Sequence, residues 1–150
     1  MQEIRGNILN VTSGIICHQV NCKGVMAAGI AGQIRNQWPI VANDYFARFN
    51  SEGIELGDVI LSHVDKFRDI YVASLAGQED YGKGRVFTDY GAVRMCLAKL
   101  NYWNGRKHKI FIPVGMGCGL AGGDWDKILA IITTVMPYAI LVKYAQEGGR

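Results

Sequence analysis

Nothing in the 150-residue sequence is long and apolar enough to span a bilayer. The longest apolar run, Ile128 to Val135, includes two threonines and falls far short of the roughly 20 residues a helical span needs. The first residues, with Gln2, Glu3 and Arg5, lack the basic segment and apolar stretch of a secretory leader, so a cytoplasmic protein is expected. Cys17, Cys22, Cys96 and Cys118 form no C-x-x-C pair and have no histidine at zinc-finger spacing, which argues against a disulfide framework or a zinc finger. Free thiols in a reducing compartment are the plain reading, with no metal and no cofactor expected. Charge is also scarce, at 19% of residues. The formal excess of +3 would help an anionic small ligand approach, but it is too weak and too scattered to suggest a duplex-binding surface. Direct nucleic-acid binding and membrane association are therefore not expected. The oligomeric state is left open.

What is present is an apolar fraction of 49% and a length that suits a single domain over residues 1–150. Alternation predicts a strand over Glu3–Val11, and a short apolar run predicts another over Gly14–Val20, with Thr12-Ser13-Gly14 turning between them. Helices are expected over Ala28–Gln37, stopped by Trp38-Pro39, and over Ile40–Phe49. Strands over Gly57–Val64 and Asp69–Ala76 make a hairpin around Lys66. A polar loop, Gly77–Phe87, follows. Thr88 is the expected N-cap of a helix to about Tyr102, closed by Asn104-Gly105. A strand over Lys109–Val114, a helix over Asp124–Met136 and a strand over Tyr138–Ala145 complete the chain. That order implies an α/β architecture: a mixed sheet of about six strands between layers of helices.

Two glycine-rich loops fall where a strand should feed a helix. One runs from Asn21 to Ala31, the other from Pro113 to Trp125. Backbone N–H groups at such junctions, together with the helix dipole, suit phosphate groups. Gly24-x4-Gly29 has the glycine spacing of a P-loop, but Ile30-Ala31 stands where Lys-Ser or Lys-Thr is required, which argues against triphosphate hydrolysis of that type. Gly117-Cys118-Gly119-Leu120-Ala121-Gly122 matches a dinucleotide fingerprint, yet only one strand follows it, so hydride transfer fits poorly. Purely structural glycines are the alternative.

Together, Val20 to Ala31 and Pro113 to Trp125 resemble the two ligand loops of macro domains, and Gly6-Asn7-Ile8-Leu9 resembles the family's N-terminal Gly-Asp-Ile element. The resemblance covers essentially the whole chain. It implies a three-layer α/β/α macro domain fold and binding of ADP-ribose or its derivatives. Ala73 to Gln78, Thr88-Asp89-Tyr90 and the block Gly117 to Trp125 bring it nearest to the ADP-ribose 1''-phosphate phosphatases frequent in bacteria and phages. Lysine-dependent glycohydrolase branches fit less well. No lysine follows the central strand before Lys83, and Ala121 stands where some of those enzymes carry aspartate.

By resemblance, Asn21, Cys22, Gly24, Val25, Met26, Ala27, Gly29 and Ile30 line one side of a diphosphate and distal ribose. Pro113, Gly115, Met116, Gly117, Cys118, Gly119 and Leu120 line the other. Asn21 matches the ribose-contacting position, and Gln78 or Tyr81 would cover that ribose. Asn7 and Ile8 stand at the adenine end, where an asparagine replaces the family's aspartate. Tyr144 could stack on the base or serve only as an edge aromatic. For chemistry the candidates are Asn21, His18 and Asp124. His18 is either a core histidine or a general acid–base, and Asp124 either a helix cap or a carboxylate activating water. The leading expectation is hydrolysis of ADP-ribose 1''-phosphate to ADP-ribose and phosphate. The alternatives are a non-catalytic ADP-ribose-binding module and a glycohydrolase acting on ADP-ribosylated protein or nucleic acid.

Overall fold

In the computed structural model, which describes residues 1–146, the apolar runs become strands and the 3.6-period segments become helices. The elements are β1 (Glu3–Gly6), β2 (Gly14–Val20), α1 (Gly29–Gln37), α2 (Pro39–Ser51), β3 (Val59–Asp65), β4 (Ile70–Ala76), α3 (Tyr90–Asn104), β5 (Ile110–Pro113), α4 (Trp125–Val135) and β6 (Ile140–Tyr144). The strands form one mixed sheet in the order β1-β6-β5-β2-β4-β3. Every neighbouring pair is parallel except β3 and β4, which form an antiparallel hairpin.

β2 lacks polar–apolar alternation because both its faces are covered. Ile16 and Val20 pack into a core with Ile34 of α1 and Val41 and Tyr45 of α2. Ile15 and Cys17 pack into a second core with Leu97 and Leu100 of α3 and Ile128 and Ile132 of α4. The result is three layers, α/β/α. No helix among the described residues is long and apolar enough to cross a membrane.

Most boundaries move by one or two residues, and three of the differences have a clear physical reason. β1 ends at Gly6, because Asn7 caps a short 3-10 turn over Ile8–Asn10 by accepting the Leu9 N–H at 2.9 Å. α2 begins at Pro39, since a helix's first position needs no N–H and suits proline's fixed φ. The cap of α3 is Asp89 and not Thr88. Asp89 Oδ1 accepts from Ala92 N at 2.9 Å, while the Thr88 hydroxyl donates to the carbonyl of Gly117 at 2.6 Å. That displacement by one residue gives Thr88 a job at the site.

Because the strands other than β3 run the same way, the carboxyl ends of β1, β2, β4, β5 and β6 share one edge. Asn7, both glycine loops, the loop after Ala76 and Tyr144 all emerge there, the position where open α/β sheets hold ligands.

Candidate ligand cleft

The shared edge opens into a cleft of about 760 Å³. Asn7 and Ile8 line one end, with Val142 and Tyr144. The first loop contributes Asn21, Val25, Met26, Ala27, Gly29 and Ile30, and the second contributes Pro113, Gly115, Met116, Gly117, Gly119 and Leu120. Gln78 and Tyr81 close the remaining side. The two glycine loops therefore face one space, although about ninety residues separate them in the chain.

The first loop is held by a buried knot. Asn21, only 7% exposed, donates from Nδ2 to the carbonyl of Val25 at 2.8 Å and accepts the Lys23 N–H on Oδ1 at 2.9 Å. Tyr45 of α2 reaches up beneath it, its hydroxyl 2.7 Å from the Asn21 carbonyl and 2.9 Å from Oδ1, and accepts the Gly24 N–H at 3.2 Å. Burial pushes the Tyr45 phenol up to about 12, so the hydroxyl keeps its proton. Arg35 of α1 ties the far side by donating to the Met26 carbonyl at 3.0 Å. The Asn21 amide thus shapes the loop, with one Nδ2 hydrogen left over.

Replacing Tyr45 by phenylalanine should cost about 1–3 kcal/mol, because it strips a partner from buried Asn21 and Gly24 groups. A urea midpoint unchanged from the parent protein would contradict this.

The start of α1 sits in the wall of the cleft and, like that of α2 but unlike those of α3 and α4, has no side-chain cap. Asp89 caps α3 and Asp124 caps α4, but Ala28 offers α1 no side-chain cap. Among the described residues, the N–H groups of Ala27, Gly29 and Ile30 have no protein acceptor. Across the cleft the same holds for Gly117, Gly119 and Leu120, while Cys118 and Gly122 bond within successive tight turns to Gly115 and Gly119.

One residue behind this arrangement was not anticipated. Gln19, the penultimate residue of β2, donates from Nε2 to Gln78 Oε1 and to Thr88 Oγ1, both at 2.9 Å. Thr88 in turn holds Gly117. Gln19 therefore braces the third loop against the second glycine loop, and its Oε1 is buried with no partner. The only sequence signal was a polar residue inside an otherwise apolar strand. Gly82, Lys83 and Gln33, also unanticipated, complete the rim.

Several expected site residues lie off the cleft. His18 is fully buried on the α1–α2 side of β2, its Nε2 2.7 Å from Ser74 Oγ, and burial lowers its pKa to about 4. It is a core histidine and cannot reach a ligand. Asp124 is exposed and caps α4 through the Asp126 N–H at 2.9 Å. Cys22 points into the core, where burial and the neighbouring Glu79 push its thiol up to about 12. A Cβ on Gly24 would meet the Phe49 ring at 2.7 Å, so this glycine accommodates packing from α2. Cys118 packs toward the α3–α4 core, and burial raises its thiol too. Each of the five serves the fold instead: His18 and Cys22 turn into the α1–α2 core, Cys118 toward the α3–α4 core, Gly24 makes room for Phe49, and Asp124 caps α4.

The cleft walls hold no carboxylate and no imidazole among the described residues; Lys83 is their one charged side chain. No group of three or more His, Cys, Asp or Glu able to hold a metal ion is found among the described residues.

No protein-family model and no curated protein matches the chain. Solved structures do. A protein of unknown function from Bacteroides thetaiotaomicron is 28% identical, with 96% of this chain and 97% of that chain covered at a TM-score of 0.85. The macrodomain of Mycobacterium tuberculosis DarG is 18% identical, with 95% of each chain covered at a TM-score of 0.78. Thermosipho africanus DarTG, solved in complex with ADP-ribose, is 15% identical and covers 96% of this chain with 42% of its own, at a TM-score of 0.77. The three-layer arrangement is that of these macrodomain structures. This chain has the macrodomain fold.

Proposed function

We propose that the chain binds ADP-ribose in this cleft. One observation carries the reading: main-chain N–H groups without protein acceptors stand on two facing walls, one of them the uncapped start of α1. Such donors suit a diphosphate, whose charge they satisfy without desolvating a lysine. The end formed by Ile8, Val142 and Tyr144 suits a flat apolar base, and Gln78, Tyr81 and Asn21 offer polar groups for a distal ribose. The likeness to a DarTG structure holding ADP-ribose supports the same ligand.

Asn7 has a measurable consequence here. Its Oδ1 is already engaged by the Leu9 N–H, so it has little to offer an adenine amino group. An aspartate could cap Leu9 with one oxygen and accept from the base with the other. Asn7→Asp should tighten ADP-ribose binding about fivefold, the worth of one charge-assisted bond on a wet rim. Calorimetry showing unchanged or weaker binding would place the base elsewhere.

A second reading is hydrolysis of ADP-ribose 1''-phosphate, favoured by Lys83, the one cation in the cleft wall among the described residues. Water would attack phosphorus, the P–O bond to the ribose would break, the departing ribose oxygen would take up a proton lost by that water, and loop N–H groups would stabilise the charge that develops. With His18 and Asp124 off the cleft, Asn21 acts here by positioning the first loop.

A thermal-shift series separates these ideas. ADP-ribose and its 1''-phosphate should both stabilise the protein, and AMP should not. Equal shifts from AMP and ADP-ribose would sink the ligand assignment. Phosphate release above background from the 1''-phosphate marks a phosphatase. Loss of ADP-ribose from modified protein or nucleic acid marks a glycohydrolase, and neither marks a binding module.

A further inference from the structure

The opposite end of the sheet carries a second built surface. There the β3–β4 turn (residues 66–69) meets the α3–β5 turn (residues 105–109) across the start of β2: Gly14 N–H bonds to the Asp69 carbonyl and Ile15 N–H to the Lys109 carbonyl. The Asp69 carboxylate lies between two imidazoles, 3.3 Å from His63 Nε2 and 3.5 Å from His108 Nδ1. His63 stacks on Tyr71 with centroids 4.1 Å apart, and Trp103 lies nearly parallel to His108 at 6.3 Å.

Three features mark this end, although Arg68 also pairs with Asp65 at 3.8 Å and Arg106 lies over the Tyr138 ring at 4.5 Å. First, the chain's exposed aromatics divide between the two ends. Tyr81 and Tyr144 line the cleft, while Phe67 (103% exposed), Tyr102 (90%) and Trp103 (51%) are at this end. Second, Lys66, Arg68, Arg106, Lys107 and Lys109 are all exposed here against Asp65 and Asp69. Five of the chain's 16 basic and two of its 13 acidic residues thus give this end the whole formal excess of three, and the remaining eleven of each sign cancel. Third, the two non-glycine residues with positive φ among the described residues, Asp69 (58°) and Arg106 (63°), are the corners of these two turns. Left-handed backbone at such residues costs about 1 kcal/mol each, and such strain concentrates at functional sites. The second turn is held rigid by Asn104, which bonds the His108 N–H and carbonyl at 3.0 and 2.9 Å.

We propose that this end binds single-stranded nucleic acid, with bases stacking on Trp103, Tyr102 and Phe67 and phosphates meeting the flanking lysines and arginines. Exposed rings between cations fit a strand whose bases and phosphates alternate. A duplex hides its base faces, and an acidic protein would not need three exposed rings. Charge that is scattered along the sequence is gathered here by the fold, a concentration that net charge alone does not reveal.

The test is anisotropy of a labelled single-stranded oligothymidine against the full chain at several salt concentrations. Affinity should fall with salt with a log–log slope of about −2 to −3.5, at roughly 0.7 per phosphate for three to five phosphates. Trp103→Ala should weaken binding about tenfold. Lys66→Glu with Lys107→Glu, one exposed residue from each turn, should flatten the slope by about 1.4 and leaves the stacking rings in place. The proposal fails if no binding is seen at low salt, or if both variants bind like the parent. Displacement of the oligonucleotide by ADP-ribose would put it in the cleft, and equal Trp103-dependent binding to anionic phospholipid vesicles would make this a membrane-facing surface. Either result overturns the proposal.

Discussion

Gly117→Ala is expected to abolish most ligand binding, weakening ADP-ribose by about 100-fold, the equivalent of losing roughly 3 kcal/mol of charge-assisted bonding. Gly117 has φ +77°, where an alanine is strained. A Cβ there would stand 2.7 Å from Gln19 Oε1 and 3.2 Å from Thr88 Oγ1. The bump falls on the brace that aligns the second loop, so the N–H groups of Gly117 and Gly119 are displaced together. The stability cost should be about 2 kcal/mol, combining backbone strain with a broken buried contact. Gly119→Ala is the control. It has no atom within 4 Å of its Cβ and no positive φ, so its stability should match the parent's. If the two variants unfold at the same urea midpoint, the brace is not what holds the loop.

The second large effect is on pH. Between pH 6.5 and 4 the protein is expected to lose about 3 kcal/mol of stability through His18 alone, a shift of 2.5 pH units at about 1.4 kcal/mol each. Burial holds the folded imidazole neutral down to about 4, whereas the unfolded chain takes up the proton near 6.5. In that window the unfolded state binds more protons, so stability falls as pH falls and the loss is complete below about 4. His18→Gln, which cannot titrate, should flatten this slope between pH 6.5 and 4. Parallel stability curves for parent and variant would show that another group sets the acid limit.

Much of this was readable before any coordinates. Strand and helix order follows from apolar spacing. Two loops after parallel strands must share an edge once both strands lie in one sheet, so the cleft follows from topology. The inward side chains were harder. β2 is covered on both faces, so its sequence does not say that His18 faces α1 and α2 while Gln19 points to loops 59 and 69 residues away. Thr88 and Asp89 are both good caps, and only the position of Gly117 decides which hydroxyl or carboxylate is left to serve α3. The surface at the far end was illegible for a related reason. Its two turns are about forty residues apart, and each alone reads as an ordinary solvated bend.

The strand order has a consequence for how the protein is made. β5 and β6 lie between β1 and β2, so the second wall of the cleft exists only after the chain beyond residue 110 has filled the space between the first two strands. Residues 14–76 can zip β2, β3 and β4 together early, but a nascent or truncated polypeptide of that length has half a clasp and nothing to grip. Ligand can engage only the finished molecule. Its binding energy therefore adds wholly to the final state, and saturating it at about 100 times its dissociation constant would deepen that state by about 2.7 kcal/mol.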